Sequence, residues 1–131
     1  MPNIKITAKS GKRPDLNNTY FRSRWEANYA RYLNWLIEQG VDFTRWEYEK
    51  TTFHFENIKR GTRYYTPDFK VVCKDGTVEY HEIKGWHYPK GETALKRMAK
   101  EYPKVKIAVI DADWFKAVNR QGIPSLIPGW E

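Results

Sequence analysis

The chain has 131 residues, which is enough for one domain with a buried core. Its composition, 40% hydrophobic and 30% charged, is that of a globular protein, and no apolar run approaches the roughly 20 residues of a membrane-spanning helix. The 23 Lys and Arg exceed the 16 Asp and Glu, which favours a polyanionic partner such as nucleic acid. The single cysteine, Cys73, excludes an internal disulfide and a multi-cysteine zinc site. Because the first residues lack the apolar segment of a secretory signal, we expect a cytoplasmic protein.

The N-terminal third predicts an arm followed by a helix. The stretch 10–18 is polar and contains Gly, Pro and two Asn, so we expect residues 1–19 to be a mobile basic arm of a single domain, 1–131. A helix is predicted from Ser23 to about Glu38, with a C-terminal cap at Gly40. Its apolar residues recur at intervals of three and four: Trp25, Tyr29, Tyr32, Leu33, Leu36 and Ile37.

The middle of the chain changes to a period of two, which predicts strands. Pro67 lacks an N–H group and should mark an edge or an irregularity. Asp75-Gly76 is typical of a tight hairpin turn between the strands on either side of it. The predicted strands are 43–48, 51–55, 63–72 and 78–83.

After a loop over 85–91, the sequence predicts a helix over 92–102 and a buried strand over 105–110. A short helix capped by Asp111 or Asp113 should run through Val118, and the tail 121–131 should be irregular. The expected fold is α/β, with a central mixed sheet flanked by helices.

Charged residues interrupt the two strands that the hairpin joins. Asp68 and Glu82 are fourteen positions apart, so antiparallel pairing can bring them together. Glu82 and Lys84 lie on one strand face, and His81 should point to the other. Two adjacent carboxylates repel each other, and a hard cation such as Mg²⁺ relieves that repulsion. Lys84 could orient or deprotonate a water, or offset charge on a phosphate. The alternative is a solvated strand with alternating charges.

The segments YTPDFKV (65–71) and EYHEIKGW (79–86) resemble the PD-(D/E)XK nuclease superfamily. The preceding helix, FRSRWEANYARYLNWL, occupies the matching place, and the resemblance covers about 21–110. It implies a restriction-endonuclease-like core with Glu26, Asp68 and Glu82 as metal-site acids. It also implies the backbone carbonyl of Ile83 as a metal ligand, Lys84 as the catalytic lysine, and Mg²⁺ as cofactor with Mn²⁺ as a substitute.

Glu26 has a second interpretation that the sequence leaves open. Ser23-x-x-Glu26 is a capping box, in which the glutamate side chain bonds back to the Ser23 N–H. A metal-site role, direct or through water, and a capping role are both compatible with this spacing.

Three basic clusters are candidates for contacts to DNA phosphates. They lie at the start of the first helix, on the turn 57–61 and its flank, and on the N-terminal arm. Their members are Arg22, Arg24, Lys59, Arg60, Arg63, Lys12 and Arg13. A solvated basic surface is the alternative for each cluster.

Within the superfamily, the small size and basic charge are similar to those of phage and archaeal-type Holliday junction resolvases. This resemblance implies a homodimer that introduces paired nicks into four-way DNA junctions and leaves 5′-phosphate ends. Two alternatives stay open. The chain could be a restriction-like, nicking or transposon-end endonuclease of the same fold, or a DNA-binding module without catalysis.

Overall fold

The computed structural model describes residues 9–56, 58, 61, 63–84 and 89–131, with the backbone alone at 89–91. It is a mixed α/β fold, as the sequence predicts. The elements are β1 (Gly11–Arg13), β2 (Thr19–Phe21), α1 (Arg24–Glu38), β3 (Phe43–Tyr48), β4 (Phe53–His54), β5 (Tyr64–Tyr65), β6 (Phe69–Cys73), β7 (Val78–Ile83), α2 (Pro89–Glu101), β8 (Ile107–Ile110) and α3 (Ala112–Arg120), with short 3-10 helices at Pro14–Leu16 and Ile123–Leu126.

The central sheet has the strand order β3-β6-β7-β8. The pairs β3–β6 and β6–β7 are antiparallel, whereas β7 and β8 are parallel, so the predicted mixed sheet is confirmed. The predicted hairpin is also confirmed, and Gly76 takes the left-handed φ of +89° that its turn requires. The prediction of a buried strand over 105–110 is wrong in part. In the described part of the chain β8 pairs with β7 alone, at the edge of the sheet, and Val109 is exposed.

Pro67 divides the strand predicted over 63–72 into two. β5 pairs with β4 in a separate two-stranded sheet, and β6 begins after the break in the central sheet. A proline cannot donate the ladder hydrogen bond that an unbroken strand would need at this position. Pro67 itself is fully buried, at the junction of the two sheets.

α1 forms as its apolar spacing predicts. Ser23 caps its start by accepting the Glu26 N–H through Oγ at 3.1 Å. At its end, the N–H groups of Gly40 and Val41 bond to the carbonyls of Ile37 and Leu36. These two bonds define a Schellman motif, and Gly40 has the left-handed φ of +72° that the motif uses.

Two hydrophobic clusters cover the central sheet. The larger one joins α1 and α3 to the sheet around Phe21, Leu33, Phe69 and Val71. The smaller one lies under the β4–β5 sheet and α2, and its buried members are Phe55, Tyr65, Ala94 and Met98. Among the helices that the structure describes, none combines the length and apolar character needed to cross a bilayer.

The described part of the predicted mobile arm is folded. Residues 11–21 form the antiparallel β1–β2 hairpin, and Leu16 is buried against α1. The tail 121–131 contains one 3-10 helix and is otherwise irregular, as predicted. It is anchored to the arm, because the Glu131 carboxylate accepts hydrogen bonds from Arg13. α2 begins three residues earlier than predicted, and residues 85–88 of the predicted loop lie outside the described residues.

Candidate active site

The β6–β7 hairpin brings Asp68 and Glu82 to the same end of the central sheet. Phe69 pairs with His81 in the register, so the next position places Asp68 opposite Glu82. Asp68 is 6% exposed, and its Oδ2 accepts the Ile83 N–H at 2.8 Å. This bond fixes one carboxylate against the backbone of the residue that follows Glu82.

These carboxylates are buried near one another and repel. Burial first, and then the charges of Glu82 and Glu26, raise the pKa of Asp68 to about 8. Burial also raises the pKa of Glu82, with a further contribution from Glu26, although a hydrogen bond from Tyr65 opposes the shift. The site therefore disfavours several negative charges at once, and a cation beside the carboxylates would relieve that repulsion.

Glu26 reaches the same site from the first turn of α1. Its Oε1 accepts two hydrogen bonds, from the Arg22 N–H at 2.9 Å and from the Tyr48 hydroxyl at 2.8 Å. The capping box is therefore confirmed only in its serine half. The carboxylate bonds to the N–H of Arg22 rather than to that of Ser23, because it also reaches toward Tyr48 at the end of β3.

Two tyrosines that the sequence analysis missed hold two of the acids. Tyr48 donates to Glu26, and Tyr65 donates to Glu82 Oε1 at 2.8 Å. Burial, reinforced by the neighbouring carboxylates, raises the pKa of each phenol above its usual value, so both stay protonated as donors. Because β3 and β5 meet the hairpin only in the folded chain, no local spacing in the sequence indicates these partners.

Lys84 follows β7 on the same side as Glu82, as strand alternation predicts. Its backbone N–H bonds to the carbonyl of Ile110, and its Nζ lies 3.8 Å from Glu92 Oε1. Glu92, in the first turn of α2, is a further acid near the site that the sequence analysis did not select.

His81 points to the opposite face of β7, as predicted, and is buried in the α1 layer. Its Nδ1 lies 2.6 Å from the Tyr29 hydroxyl, and its Nε2 lies 2.7 Å from Glu79 Oε1. Burial lowers the pKa of His81 despite the nearby Glu79 carboxylate. A neutral ring that accepts from Tyr29 and donates to Glu79 satisfies both contacts.

Arg22 and Glu49 form an ion pair beside the acids. Glu49 directly follows β3, and its N–H bonds to the Asp68 carbonyl at 2.9 Å. It adopts a left-handed φ of +52°, which is uncommon for a residue other than glycine. Sequence analysis selected Arg22 but not Glu49, whose unusual backbone conformation has no signature in the residues around it.

The other predicted DNA contacts are not equivalent in the fold. Lys12 and Arg63 are exposed, whereas Arg13 and Arg24 are buried. Arg13 makes five hydrogen bonds within the protein, so its guanidinium is committed to the fold. Burial likewise withdraws Arg24 from the surface. The two remaining candidates, Lys59 and Arg60, lie outside the described residues.

The donors at the site fit Mg²⁺ better than they fit a metal held by many protein ligands. Within the described ranges, no three His, Cys, Asp or Glu side chains are arranged to hold a metal ion. The ligands implied by the resemblance are the carboxylates of Asp68 and Glu82 and the carbonyl of Ile83. Mg²⁺ accepts one or two carboxylates and retains several waters, so this all-oxygen set suits it. The Glu26 Oε1 atom already accepts hydrogen bonds from the Arg22 N–H and the Tyr48 hydroxyl.

The fold and site together define a mixed α/β protein with buried acids and one lysine at the end of its central sheet. The chain belongs to a family described as proteins of unknown function, DUF1064, whose model matches residues 7–116. No curated protein and no solved structure gave a significant match to the chain.

Proposed function

We propose that this protein is a Mg²⁺-dependent endodeoxyribonuclease with a restriction-endonuclease-like core, acting on branched DNA such as a four-way junction. The observation that carries the proposal is the placement of Asp68, Glu82 and Lys84 at one end of the β6–β7 hairpin. A buried pair of repelling carboxylates destabilises a fold, and a bound cation relieves that repulsion. The pair therefore favours a functional role in binding a cation.

Each residue has a distinct role in this proposal. Asp68, Glu82 and the Ile83 carbonyl hold the cation, while Glu26 acts through a water. When bound, Mg²⁺ supplies a Lewis acid for the phosphate and a more acidic water. Lys84 orients the attacking water and offsets charge on the phosphate. Arg22, Lys12 and Arg63 contact the DNA backbone. The products have 5′-phosphate and 3′-hydroxyl ends.

The substrate class and the dimer rest on the resemblance and on the basic charge of the chain. A homodimer with two sites related by a two-fold axis would match a symmetric junction, with one nick from each site. Paired nicks and a dimeric mass in solution are both required by this part of the proposal.

The test compares an end-labelled immobile four-way junction with a linear duplex of the same sequence. Purified protein is incubated with each DNA in Mg²⁺, Mn²⁺ or EDTA. We expect metal-dependent paired nicks in the junction, which DNA ligase seals because the ends carry 5′-phosphates. Light scattering on the same preparation measures the oligomeric state.

Matched variants exclude a contaminating nuclease. Lys84→Ala and Asp68→Asn should each lower the cleavage rate by roughly 10²–10⁴-fold, the usual range for losing a proton-transfer or charge-stabilising group. Lys104→Ala and Asp113→Asn remove the same charges from exposed positions and should cleave like the parent protein.

Two other results of this test would each point to one of the alternative functions. Equal cutting of junction and duplex would overturn the junction specificity and indicate a restriction-like, nicking or transposon-end endonuclease. Tight DNA binding without cleavage in either metal would overturn the enzyme and indicate a DNA-binding module.

A further inference from the structure

The Arg22–Glu49 ion pair places the positively charged guanidinium of Arg22 between the buried acids and solvent. The Arg22 side chain is 62% exposed, so its guanidinium is accessible from solution. Its charge also lowers the pKa of both Asp68 and Glu82, which places it within electrostatic reach of the proposed metal-site acids. A DNA phosphate that approached those acids would meet this guanidinium.

The backbone position of Glu49 is fixed by the fold. Its N–H is bonded to the Asp68 carbonyl, and its left-handed φ turns the chain immediately after β3. Residues in sparsely populated backbone conformations persist where the surrounding structure determines them, and they are frequent at functional sites. The backbone therefore places Glu49 beside Arg22, where the two side chains form the ion pair.

A carboxylate and a phosphate compete for the same face of a guanidinium, because both accept its N–H groups in a planar, two-pronged geometry. The pair is only partly exposed, 62% at the Arg22 side chain and 26% at the Glu49 side chain, so solvent reaches it mainly from the arginine side and a partly screened pair of this kind contributes modestly to stability. The acidic neighbours also repel a phosphate, and Arg22, like Lys84, is a cation that can offset them.

We propose that Glu49 occupies the phosphate-binding position of Arg22 in the free protein, and that a DNA backbone phosphate displaces it on binding. Glu49 thereby weakens non-productive binding of DNA at the site. The inference rests on the proposed function in that it needs DNA as the ligand, but it requires neither metal nor cleavage.

The chain contains a matched control for this pair. Arg45 and Glu47 form an ion pair on β3 at 3.5 Å, and the Arg45 side chain is 59% exposed. Glu47→Gln changes the net charge as Glu49→Gln does, from a position on β3 two residues before Glu49, where the carboxylate also lies 3.9 Å from Lys70 Nζ. Any general effect of charge on DNA affinity is therefore common to both variants.

The experiment measures binding of a fluorescent four-way junction by anisotropy, in EDTA and at several salt concentrations. Glu49→Gln should bind about two- to five-fold more tightly than Glu47→Gln, as expected for releasing a partly exposed ion pair. Arg22→Gln should weaken binding about tenfold and reduce the salt dependence by about one phosphate contact, whereas Arg45→Gln should change it less.

The double variant Arg22→Gln/Glu49→Gln decides whether the two residues act together. In the proposed exchange, the gain from Glu49→Gln disappears when Arg22 is absent. Thermal melts confirm that each variant folds. Equal affinities for Glu49→Gln and Glu47→Gln, or a gain that persists without Arg22, would overturn the inference.

The same measurements separate this inference from the proposed function. If the parent protein binds DNA and the exchange is observed but no metal supports cleavage, the nuclease proposal fails and the inference stands. If no variant binds DNA, both fail.

Discussion

Two groups of charged side chains, each with buried members, contact α1, and they differ in how their charges are balanced. In the first, Arg13 and Arg31 are neutralised by Asp15 and Glu131. Arg31 reaches both oxygens of Asp15, at 2.8 and 3.1 Å, and also bonds to Glu131 at 2.8 Å. Opposite charges with saturated hydrogen bonds are what a structural cluster requires.

The second group is the acidic site, where Glu26, Asp68 and Glu82 bring like charges together. Hydrogen bonds from Tyr48, Tyr65 and the Ile83 N–H orient these carboxylates, but they do not offset the burial and the repulsion that together raise the pKa of Asp68. The comparison teaches that burial of charge alone does not indicate function. The unbalanced charge of the second group is what supports the proposed function.

Breaking the first group, here called the balanced cluster (Arg13, Asp15, Arg31 and Glu131), should give the largest change in stability. Glu131→Gln leaves two buried arginines without their shared anion, and we expect the free energy of unfolding to fall by about 2–4 kcal/mol. Urea unfolding followed by tryptophan fluorescence measures it. The exposed Glu56→Gln provides the control, and a loss no larger than in that control would contradict a structural role for the cluster.

Removing one donor from the acidic site should affect cation binding. Tyr65→Phe deletes the hydroxyl that orients Glu82, and partners of metal ligands typically contribute 10–100-fold in affinity, so we expect Mn²⁺ binding about tenfold weaker. Electron paramagnetic resonance of free Mn²⁺ measures this without any cleavage.

Tyr64→Phe is the control for that variant, because Tyr64 precedes Tyr65 on β5 but faces solvent. It should bind Mn²⁺ like the parent protein. Equal affinity in the two tyrosine variants would argue that Tyr65 only packs.

Neutralising an acid of the second group should raise the stability of the protein, in contrast to the loss expected for Glu131→Gln. Asp68→Asn keeps an oxygen that can accept the Ile83 N–H. At about pH 9 in EDTA, above the raised pKa of Asp68, it also removes one of the repelling charges, so the unfolding free energy should rise by about 1 kcal/mol. Asp113→Asn, on the exposed face of α3, should stay within about 0.5 kcal/mol of the parent. A clear loss of stability in Asp68→Asn would show that the carboxylate is structurally required.

Acidification should reduce the stability that the ion pairs of the balanced cluster contribute. Of the effects predicted here, this one should be the smallest. A hydrogen bond from Arg31 lowers the pKa of Asp15 below its usual 3.8. For Glu131, burial opposes the charge, but hydrogen bonds from Arg13 and Arg31 lower the pKa below its usual 4.5.

Because both pKa values are lower in the folded state, this stabilisation is present above the unfolded values and is lost as the pH falls through the folded ones. Urea titrations between about pH 5 and pH 3 should show the parent losing more stability than Glu131→Gln. Parallel curves for the two proteins would contradict the assignment.

The elements that the sequence predicts well are those encoded by neighbouring residues. The apolar spacing of α1, the Asp75-Gly76 turn and the break at Pro67 each depend on a few adjacent side chains. The proximity of Asp68 and Glu82 follows from that turn, because a hairpin fixes its own register.

The parts that the sequence does not predict depend on distant pairing. The β1–β2 hairpin is stabilised by Glu131, more than a hundred positions away, so its polar sequence looks like an arm. The edge position of β8 depends on which strands fill the sheet, which a continuous apolar run does not specify. Tyr65 reaches Glu82 only because β5 is held in the small sheet with β4.

The β6–β7 hairpin also has a consequence for the order of folding events. Asp68 and Glu82 are joined by a fourteen-position segment with a tight turn, so they can meet through local contacts with a small loss of chain entropy. Glu26 is forty-two positions from Asp68 and reaches it only when α1 docks on the sheet. We therefore expect these like charges to be brought together in two steps, with the contact that closes the longer loop formed second.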